Sequence, residues 1–398
     1  MPRLIPKLAF AVTAAAGLCA TPALTVVASA ATAPATTTAH VNAAANVAHS
    51  DAIRNNVKSH KVGSAATTTP SGYGPSSIQS AYNLPSSTAG SGETVAIVDA
   101  YKDPNAAADL AVYRAQYGLP ACTVASGCLT IVSQTGSTTS LPAKNAGWAT
   151  EESLDLDMVS ATCPNCNIIL VEATTASNVN LGIAVNEAAK LGADAISNSY
   201  GGSESSSDAT YDSSYYDHPG IAITASTGDS GYGVEYPASS PYVTAVGGTS
   251  LSTASNSRGW TETAWSGAGA GCSAYSAEPS YQASVGTGCA KRAVADVSAI
   301  ADPNTGVATY DSTAYQGYVG WQVYGGTSVA SPIIASVYAL AGNTSSVDNA
   351  SLAYSHTSSL YDVTSGSDGT CTTSQLCTAR TGWDGPTGLG TPDGVGAF

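Results

Sequence analysis

The apolar positions of this chain follow two alternating periods between residue 94 and residue 246. Short runs rich in Val, Ile and Ala predict buried β-strands, and the segments between them repeat their apolar residues with the period of a helix. Strands are predicted at 94–99, 129–132, 167–172, 193–197, 220–226 and 242–246, and helices at 105–117, 147–162 and 178–191. This alternation predicts an α/β fold with a parallel sheet covered by helices on both faces. Sites are expected at the carboxyl ends of its strands.

The N-terminal part of the chain departs from this pattern. An apolar run at 8–27 follows two basic residues and ends in small residues, which predicts that residues 1–30 are a secretory signal peptide. Residues 31–70 are rich in Ala and Thr without an apolar period, and we expect a propeptide remnant or flexible arm there. Residues 71–398 are enough for one large domain. We therefore expect a secreted, extracellular monomer.

The charge balance narrows the possible partners. The formal net charge is −15, although only 10% of the residues are charged. An acidic surface disfavours nucleic acids and anionic membranes, and no second apolar stretch of membrane length follows the signal peptide. Neither nucleic acid nor a membrane is therefore expected as a partner.

The cysteines that follow the signal peptide fall in close pairs. An even count in an exported chain predicts disulfides between these neighbours. The pairs are Cys122/Cys128, Cys163/Cys166, Cys272/Cys289 and Cys371/Cys377. The Cys163-Pro164-Asn165-Cys166 segment could also be a redox or metal motif, but no second pair of that spacing and no suitably spaced histidine accompanies it. We expect residues 250–292 and 364–380 to be long loops held by disulfides.

The predicted helix 147–162 carries carboxylates where its apolar face should be. The apolar stripe consists of Trp148, Leu154, Met158 and Val159. At 100° per residue, Glu151 and Asp155 lie within this stripe, Glu152 lies at its edge, and Asp157 lies opposite, where solvent is expected. Two carboxylates on a face that should be buried repel each other and resist desolvation. This placement favours a functional pair over a structural one.

A serine and a third carboxylate lie where such a fold forms sites. Two glycines before Thr327 allow a tight turn, and a helix begins near Ser328, where aligned N–H groups favour negative charge. Ser328 is therefore either a nucleophile or a polar cap on a buried helix. Asp229 follows the predicted strand 220–226 between glycines, so it is either a site residue or a turn residue.

Four segments resemble the motifs of the sedolisin family, the serine-carboxyl peptidases with a subtilisin-like fold. They are Glu151-Glu152-Ser153-Leu154-Asp155, Ser226-Thr227-Gly228-Asp229, Gly326-Thr327-Ser328-Val329-Ala330-Ser331-Pro332, and Asp362-Val363 with Gly382-Trp383-Asp384. The resemblance implies an endopeptidase that acts on proteins or peptides. It implies that Ser328 is the nucleophile, Glu151 its general base, Asp155 the group that orients Glu151, and Asp229 an acid that stabilises the oxyanion.

The same resemblance implies one structural Ca²⁺ ion near the C-terminus. Its ligands would be the carboxylates of Asp362 and Asp384 and backbone carbonyls including those of Val363 and Gly382. Hard oxygen ligands of this kind suit calcium.

The chemistry of these residues indicates an enzyme that works at acidic pH. A histidine base is protonated at low pH, whereas a carboxylate with a pKa around 4 still accepts the proton of a serine. A neutral aspartic acid can donate a hydrogen bond to a developing oxyanion when the pH keeps it protonated.

Two other interpretations remain open from sequence. The strand 94–99 resembles the strand that carries the catalytic aspartate of subtilisins, so Asp99, His218 and Ser328 could form a subtilisin-type triad. His218, however, lies in a turn before a strand and lacks the sequence setting of that family. The second alternative is an inactive secreted binding protein on the same fold, although all four candidate catalytic residues are present.

Overall fold

A computed structural model describes residues 47–56, 58–63 and 69–398 of this protein. The predicted signal peptide, residues 1–30, lies outside the described residues. The strands are β1 (His49–Ser50), β2 (Ile53–Arg54), β3 (Thr94–Ala100), β4 (Leu129–Ser133), β5 (Asn167–Ala173), β6 (Ala195–Asn198), β7 (Tyr200–Ser203), β8 (Ala222–Ser226), β9 (Glu235–Tyr236), β10 (Thr244–Thr253), β11 (Trp260–Ala264), β12 (Gly271–Cys272), β13 (Ala293–Val294), β14 (Val297–Ile300), β15 (Val307–Tyr315), β16 (Tyr318–Gly325), β17 (Leu360–Tyr361) and β18 (Thr391–Pro392). The α-helices are α1 (Pro75–Ala81), α2 (Ala106–Gln116), α3 (Ala146–Thr162), α4 (Asn178–Lys190), α5 (Asp208–Tyr211), α6 (Thr327–Ala341) and α7 (Ser351–Ser355).

The central sheet has eight strands in the order β11-β10-β8-β6-β3-β5-β4, with β14 also paired to β10. All of its pairings are parallel except the one between β10 and β11. The predicted parallel sheet is confirmed. Five of its strands begin and end close to the predicted residues, and a sixth, β10, begins close to them but extends to Thr253. Crossovers through helices explain why consecutive strands can run parallel.

Helices cover both faces of this sheet, as predicted. Helices α3 and α6 pack against each other on one face, and α4 packs against β3 and β5 on the other. The side chains of β3 show why residues 95–98 are all apolar. Val95 and Ile97 belong to the core beneath α3 and α6, while Ala96 and Val98 belong to the core beneath α4. A strand that is buried on both faces has no polar side to display.

Helix α3 is buried all the way round, so the prediction that Asp157 faces solvent is wrong. Helix α6 covers one side of α3, and α1, α2 and β15 cover the rest. Asp157 is buried and accepts a hydrogen bond from the Tyr310 N–H at 2.8 Å. Glu152 is also buried and accepts from the Asp103 N–H at 3.0 Å. Both carboxylates therefore bind backbone donors of neighbouring segments.

Two stretches were assigned incorrectly or missed by the sequence pattern. The predicted loop 250–292 begins inside β10, which continues to Thr253 and pairs antiparallel with β11. The antiparallel hairpin of β15 and β16 was not foreseen. In β11 only alternate side chains are buried, so the strand is short of the apolar residues that identified the central strands.

The four neighbouring cysteine pairs are bonded as predicted: Cys122–Cys128, Cys163–Cys166, Cys272–Cys289 and Cys371–Cys377. Across the described residues, no helix is both long enough and apolar enough to cross a membrane.

Substitution of Asp157 tests whether α3 depends on its buried acceptors. Asp157→Ala leaves the Tyr310 N–H without its partner, and we expect a loss of about 1–3 kcal/mol in the free energy of unfolding. Asp157→Asn keeps an acceptor oxygen and should lose less. The measurement is urea unfolding in a Ser328→Ala background, which prevents self-digestion. The exposed Asp348 provides the control, because Asp348→Ala should change little. Equal stability of Asp157→Ala and its parent would contradict the role of Asp157.

Candidate active site

The start of α6 brings Ser328 against the middle of α3. Gly326, which precedes the helix, has φ of 103°, a conformation that favours glycine. Ser328 is buried, and its Oγ donates to the Ser199 carbonyl at 3.3 Å. The Ser328 hydroxyl also lies close enough to Glu151 to lower the pKa of that carboxyl. The nucleophile and base proposed from sequence are therefore brought together.

Glu151 and Asp155 lie side by side on α3 and are both fully buried. Burial raises the pKa of Glu151 to about 8. Burial, and then the charge of Glu151, raise the pKa of Asp155. Asp155 Oδ1 accepts from the Ser199 hydroxyl at 2.9 Å, whereas Glu151 Oε1 and Asp155 Oδ2 are buried without a hydrogen-bond partner. Two such carboxyls cannot both ionise cheaply, so the pair retains a proton that it can share.

Asp229 lies at the carboxyl end of β8 and contacts the first residue of α6. Its Oδ1 accepts from the Thr327 N–H at 2.7 Å and from the Thr327 hydroxyl at 2.9 Å. Its Oδ2 is buried without a partner. Burial, followed by the negative charge of Asp51, raises the pKa of Asp229. A protonated Asp229 would have a free O–H beside Ser328, where an acyl oxygen could accept it.

The sequence suggested Asp99 only as a member of a subtilisin-type triad with His218. In the structure, Asp99 lies near Glu151 and Asp155. It ends the apolar part of β3, it is buried, and neither of its oxygens has a hydrogen-bond partner. Burial and the charges of Asp155 and Glu151 raise its pKa. Its position at the carboxyl end of a strand was the available signal.

The subtilisin-type triad is not assembled. The His218 Nε2 atom lies 2.8 Å from the side-chain oxygen of Asn186, a residue of α4. Helix α4 packs on the face of the sheet opposite α6, so the sheet separates His218 from Ser328.

Residues 47–54 cover these side chains, which the sequence did not foresee. They belong to the predicted propeptide remnant or arm. Strand β1 pairs antiparallel with β7, and β2 pairs antiparallel with β16 just before Ser328. Between the two strands, the Ser50 hydroxyl donates to Glu151, and Asp51 Oδ2 accepts from the Ser226 hydroxyl at 2.6 Å. The segment therefore lies across the site as an extended peptide.

The residues proposed to bind calcium meet in one cluster of loops. Asp384 is buried and accepts hydrogen bonds from Arg380 N–H at 2.9 Å and from Thr387 N–H at 3.0 Å. Asp362 accepts from Gly382 N–H at 3.0 Å. Burial raises the pKa of Asp384 to about 7, and the charge of Asp362 adds to this effect. Within the described part of the chain, neither carboxylate has a salt bridge to a basic side chain. Two close carboxylates without a cationic partner fit a divalent ion.

Comparison with known proteins shows which families and proteins this chain is similar to. Residues 135–375 match the Subtilase family. Kumamolisin from Bacillus sp. (strain MN-32) is 31% identical over 82% of this chain and 63% of its own length. Sedolisin from Pseudomonas sp. (strain 101) is 37% identical over 41% of this chain and 29% of its own length. The chain thus spans less than two thirds of either relative.

A solved structure extends the similarity to the fold. Pseudomonas sedolisin, a serine-carboxyl proteinase complexed with two molecules of pseudo-iodotyrostatin, has a TM-score of 0.68 at 28% identity. The similarity covers 82% of this chain and 96% of that one. The predicted subtilisin-like fold is confirmed.

The buried carboxylates predict that the folded protein is most stable in acid. Burial raises the pKa of Asp103 to about 6, of Asp311 to about 7 and of Glu172 to about 8. The folded state therefore binds these protons more tightly than the unfolded state. This contribution to stability is complete below the ordinary carboxyl pKa of about 4 and is lost as the pH rises to about 8.

The melting temperature of a Ser328→Ala chain should accordingly fall between about pH 4 and about pH 8. Both oxygens of Glu172 lack partners, so Glu172→Gln removes a titrating group without removing a hydrogen bond. This variant should show a smaller fall than its parent above about pH 6. A melting temperature that rises steadily over the same range would contradict the prediction.

Proposed function

This chain belongs to the subtilase family, and we propose that it is a secreted serine-carboxyl endopeptidase of the sedolisin type, active at acidic pH. One observation carries the proposal: the hydroxyl of Ser328 contacts Glu151 in a buried cluster of carboxyls. In the described part of the chain, no histidine is bonded to Ser328, Glu151, Asp155 or Asp229. The four disulfides support export, since such bonds persist in oxidising compartments.

Glu151 is the general base in this mechanism. Ser328 Oγ attacks the carbonyl carbon of the substrate as its proton passes to Glu151, and the peptide bond breaks as Glu151 returns that proton to the leaving amine. Water then attacks the acyl-enzyme with the same assistance. Asp155, held by Ser199, is the neighbour that keeps Glu151 in place and shares its proton.

Asp229 is the oxyanion donor. Its Oδ1 is occupied by Thr327, which leaves the carboxyl free to donate from Oδ2 to the tetrahedral intermediate. The donor must be protonated and the base must be ionised, so the rate should rise with pH as the Glu151–Asp155 pair loses a proton. The rate should then fall as Asp229 loses its own.

The form with residues 47–54 in the cleft is latent in this proposal. The Ser50 hydroxyl donates a hydrogen bond to Glu151, and the negative charge of Asp51 raises the pKa of Glu151. Release of the segment removes the Asp51 charge together with the Ser50 and Ala52 bonds that lower this pKa, and it admits water. Burial is the largest cause of the raised pKa, so the entry of water favours an ionised base at lower pH. Protein and peptide substrates would then bind in place of this segment and pair with β7 and β16.

We also propose one structural Ca²⁺ ion at Asp362 and Asp384, with the carbonyls of Val363 and Gly382 as further ligands. The ion would offset the repulsion between the two carboxylates and join the segments that carry them. It takes no part in the reaction.

Substitution of the base tests the mechanism. Glu151→Gln keeps the shape of the side chain but removes the proton acceptor, so kcat/KM should fall by at least ~10²-fold. Ser328→Ala should cause a similar loss. The measurement is casein hydrolysis between about pH 3 and about pH 5, the range set by carboxyl pKa values. It uses protein first incubated in acid to release residues 47–54, here called acid-activated protein. His218→Ala is the control and should keep most activity. Activity that is best above about pH 7 and is lost in His218→Ala would overturn the carboxylate mechanism.

Replacement of the oxyanion donor should move one limb of the pH profile. An amide donates at any pH, so Asp229→Asn should keep part of the activity and shift the alkaline limb of kcat/KM upward. The acid limb belongs to the Glu151–Asp155 pair and should stay in place. A profile whose two limbs are both unchanged would contradict the role of Asp229.

Removal of calcium should lower thermal stability. A ligand at about 100 times its Kd stabilises the folded state by about 2.7 kcal/mol, and EDTA at neutral pH should remove that contribution. Asp362→Asn retains an acceptor for Gly382 N–H but loses the charge, so its melting temperature should respond less to calcium. The exposed Asp348→Asn serves as the matched control. An EDTA-treated protein as stable as the calcium-treated one would count against the ion.

A further inference from the structure

Glu235 contacts one side chain of the segment that covers the cleft. Glu235 Oε1 lies 3.5 Å from His49 Nε2, and Asp51 Oδ1 lies 3.2 Å from His49 Nδ1. The imidazole thus bridges two carboxylates through different ring nitrogens. A protonated, cationic imidazole can make both contacts, since it donates from both ring nitrogens.

The local strands explain how Glu235 reaches His49. Strand β7 lies between β1 and β9 in a small sheet, so His49 and Glu235 are on opposite sides of it. Gly201 of β7 pairs with His49, and a Cβ atom added at Gly201 would meet the Glu235 carboxylate. Because this position is glycine, the carboxylate of Glu235 crosses over β7 and faces the residue that pairs with Gly201.

The register of the segment defines which substrate position this is. Residues 49–50 pair with β7, residues 53–54 pair with β16, and Asp51 and Ala52 lie between these pairings. Ser50 and the Ala52 N–H both contact Glu151. The Asp51 carbonyl also lies against Gly326, since a Cβ atom added there would be 1.8 Å from its oxygen. The bond between Asp51 and Ala52 is therefore the one presented to Ser328, and His49 is the third residue before it.

The negative charge of Glu235 is complementary to a basic side chain at the position of His49. Glu235 Oε2 is buried without a hydrogen-bond partner. Burial, and then Asp51, raise the pKa of Glu235, while His49 acts in the opposite direction. The bonds to Asp51 and then to Glu235 raise the pKa of His49. Among the described residues, His49 is the only basic side chain within ion-pair distance of Glu235. An apolar or acidic side chain here would leave Glu235 uncompensated.

We propose that Glu235 forms a subsite that selects a basic side chain, that of Lys, Arg or protonated His, at the third position before the bond that is cut. The inference rests on the proposed peptidase activity and names a substrate class for it. Glu235 touches the substrate side chain and takes no part in the proton transfers.

The first experiment compares quenched fluorescent peptides that copy residues 47–54, with Arg, Leu or Glu at the position of His49. Because the site is partly exposed, the acid-activated wild-type protein should show kcat/KM about 5-fold or more higher for Arg than for Leu, at a pH near 5.5. In Glu235→Gln the ratio should fall towards one. Glu235→Lys should favour the Glu peptide. Glu278→Gln, at an exposed carboxylate outside the cleft, should keep the wild-type ratio. A wild-type ratio of one, or a ratio unchanged in Glu235→Gln, overturns the inference.

The second experiment needs no turnover. In full-length Ser328→Ala protein, amide hydrogen exchange of residues 48–50 reports how firmly β1 is held. His49→Leu and Glu235→Gln should each speed this exchange several-fold, and the double variant should be no faster than the faster single one. Independent, additive effects would overturn the subsite.

The two experiments separate this inference from the proposed function. If no peptide is cut but the exchange effects are coupled, the peptidase function fails and the site for a basic side chain stands. If all peptides are cut equally, the peptidase function stands and the specificity is wrong.

Discussion

The burial of four carboxyl groups along α3 is the constraint on which the rest of the structure depends. A buried carboxylate must be protonated, hydrogen-bonded or paired, because desolvation of the ion is costly. The four carboxyls on α3 are accommodated in two ways. Asp157 and Glu152 accept backbone N–H donors from β15 and from the loop before α2. Glu151 and Asp155 instead accept from the side-chain hydroxyls of Ser50 and Ser199 and lie next to Ser328. The same helix thus holds a structural pair and the pair that we propose to be catalytic.

This burial links chemistry to stability. Asp229 and Asp155 both have pKa values raised chiefly by burial, so protons are retained in the cluster where open water would remove them. The low pH that would keep the proposed oxyanion donor, Asp229, neutral would also keep the buried carboxyls of the core uncharged. The proposed acidic working range rests on both, because a histidine base would be protonated at the pH that keeps these carboxyls neutral.

The cleft is built from strands that accept another strand. Strand β7 offers one edge before the nucleophile, and β16 offers another edge that leads into α6. Main-chain pairing of this kind fixes the register of an extended peptide without reading its side chains. Selection must therefore come from the few side chains that reach the peptide. Glycine in β7 is what lets Glu235 do so from the far side of the strand.

The sequence by itself determined the features that depend on neighbouring residues. The strand and helix periods, the adjacent cysteine pairs and the placement of Glu151 and Asp155 on one helix face are all local properties. Tertiary structure decided the rest. Asp157 is buried because β15, far along the chain, covers its side of α3, and Asp99 joins the site because β3 ends beneath it. Residues 47–54 lie in the cleft through backbone pairing, which leaves no apolar pattern in their own sequence. Periodicity reveals which face of an element is apolar, but only the packed chain reveals what covers the other face.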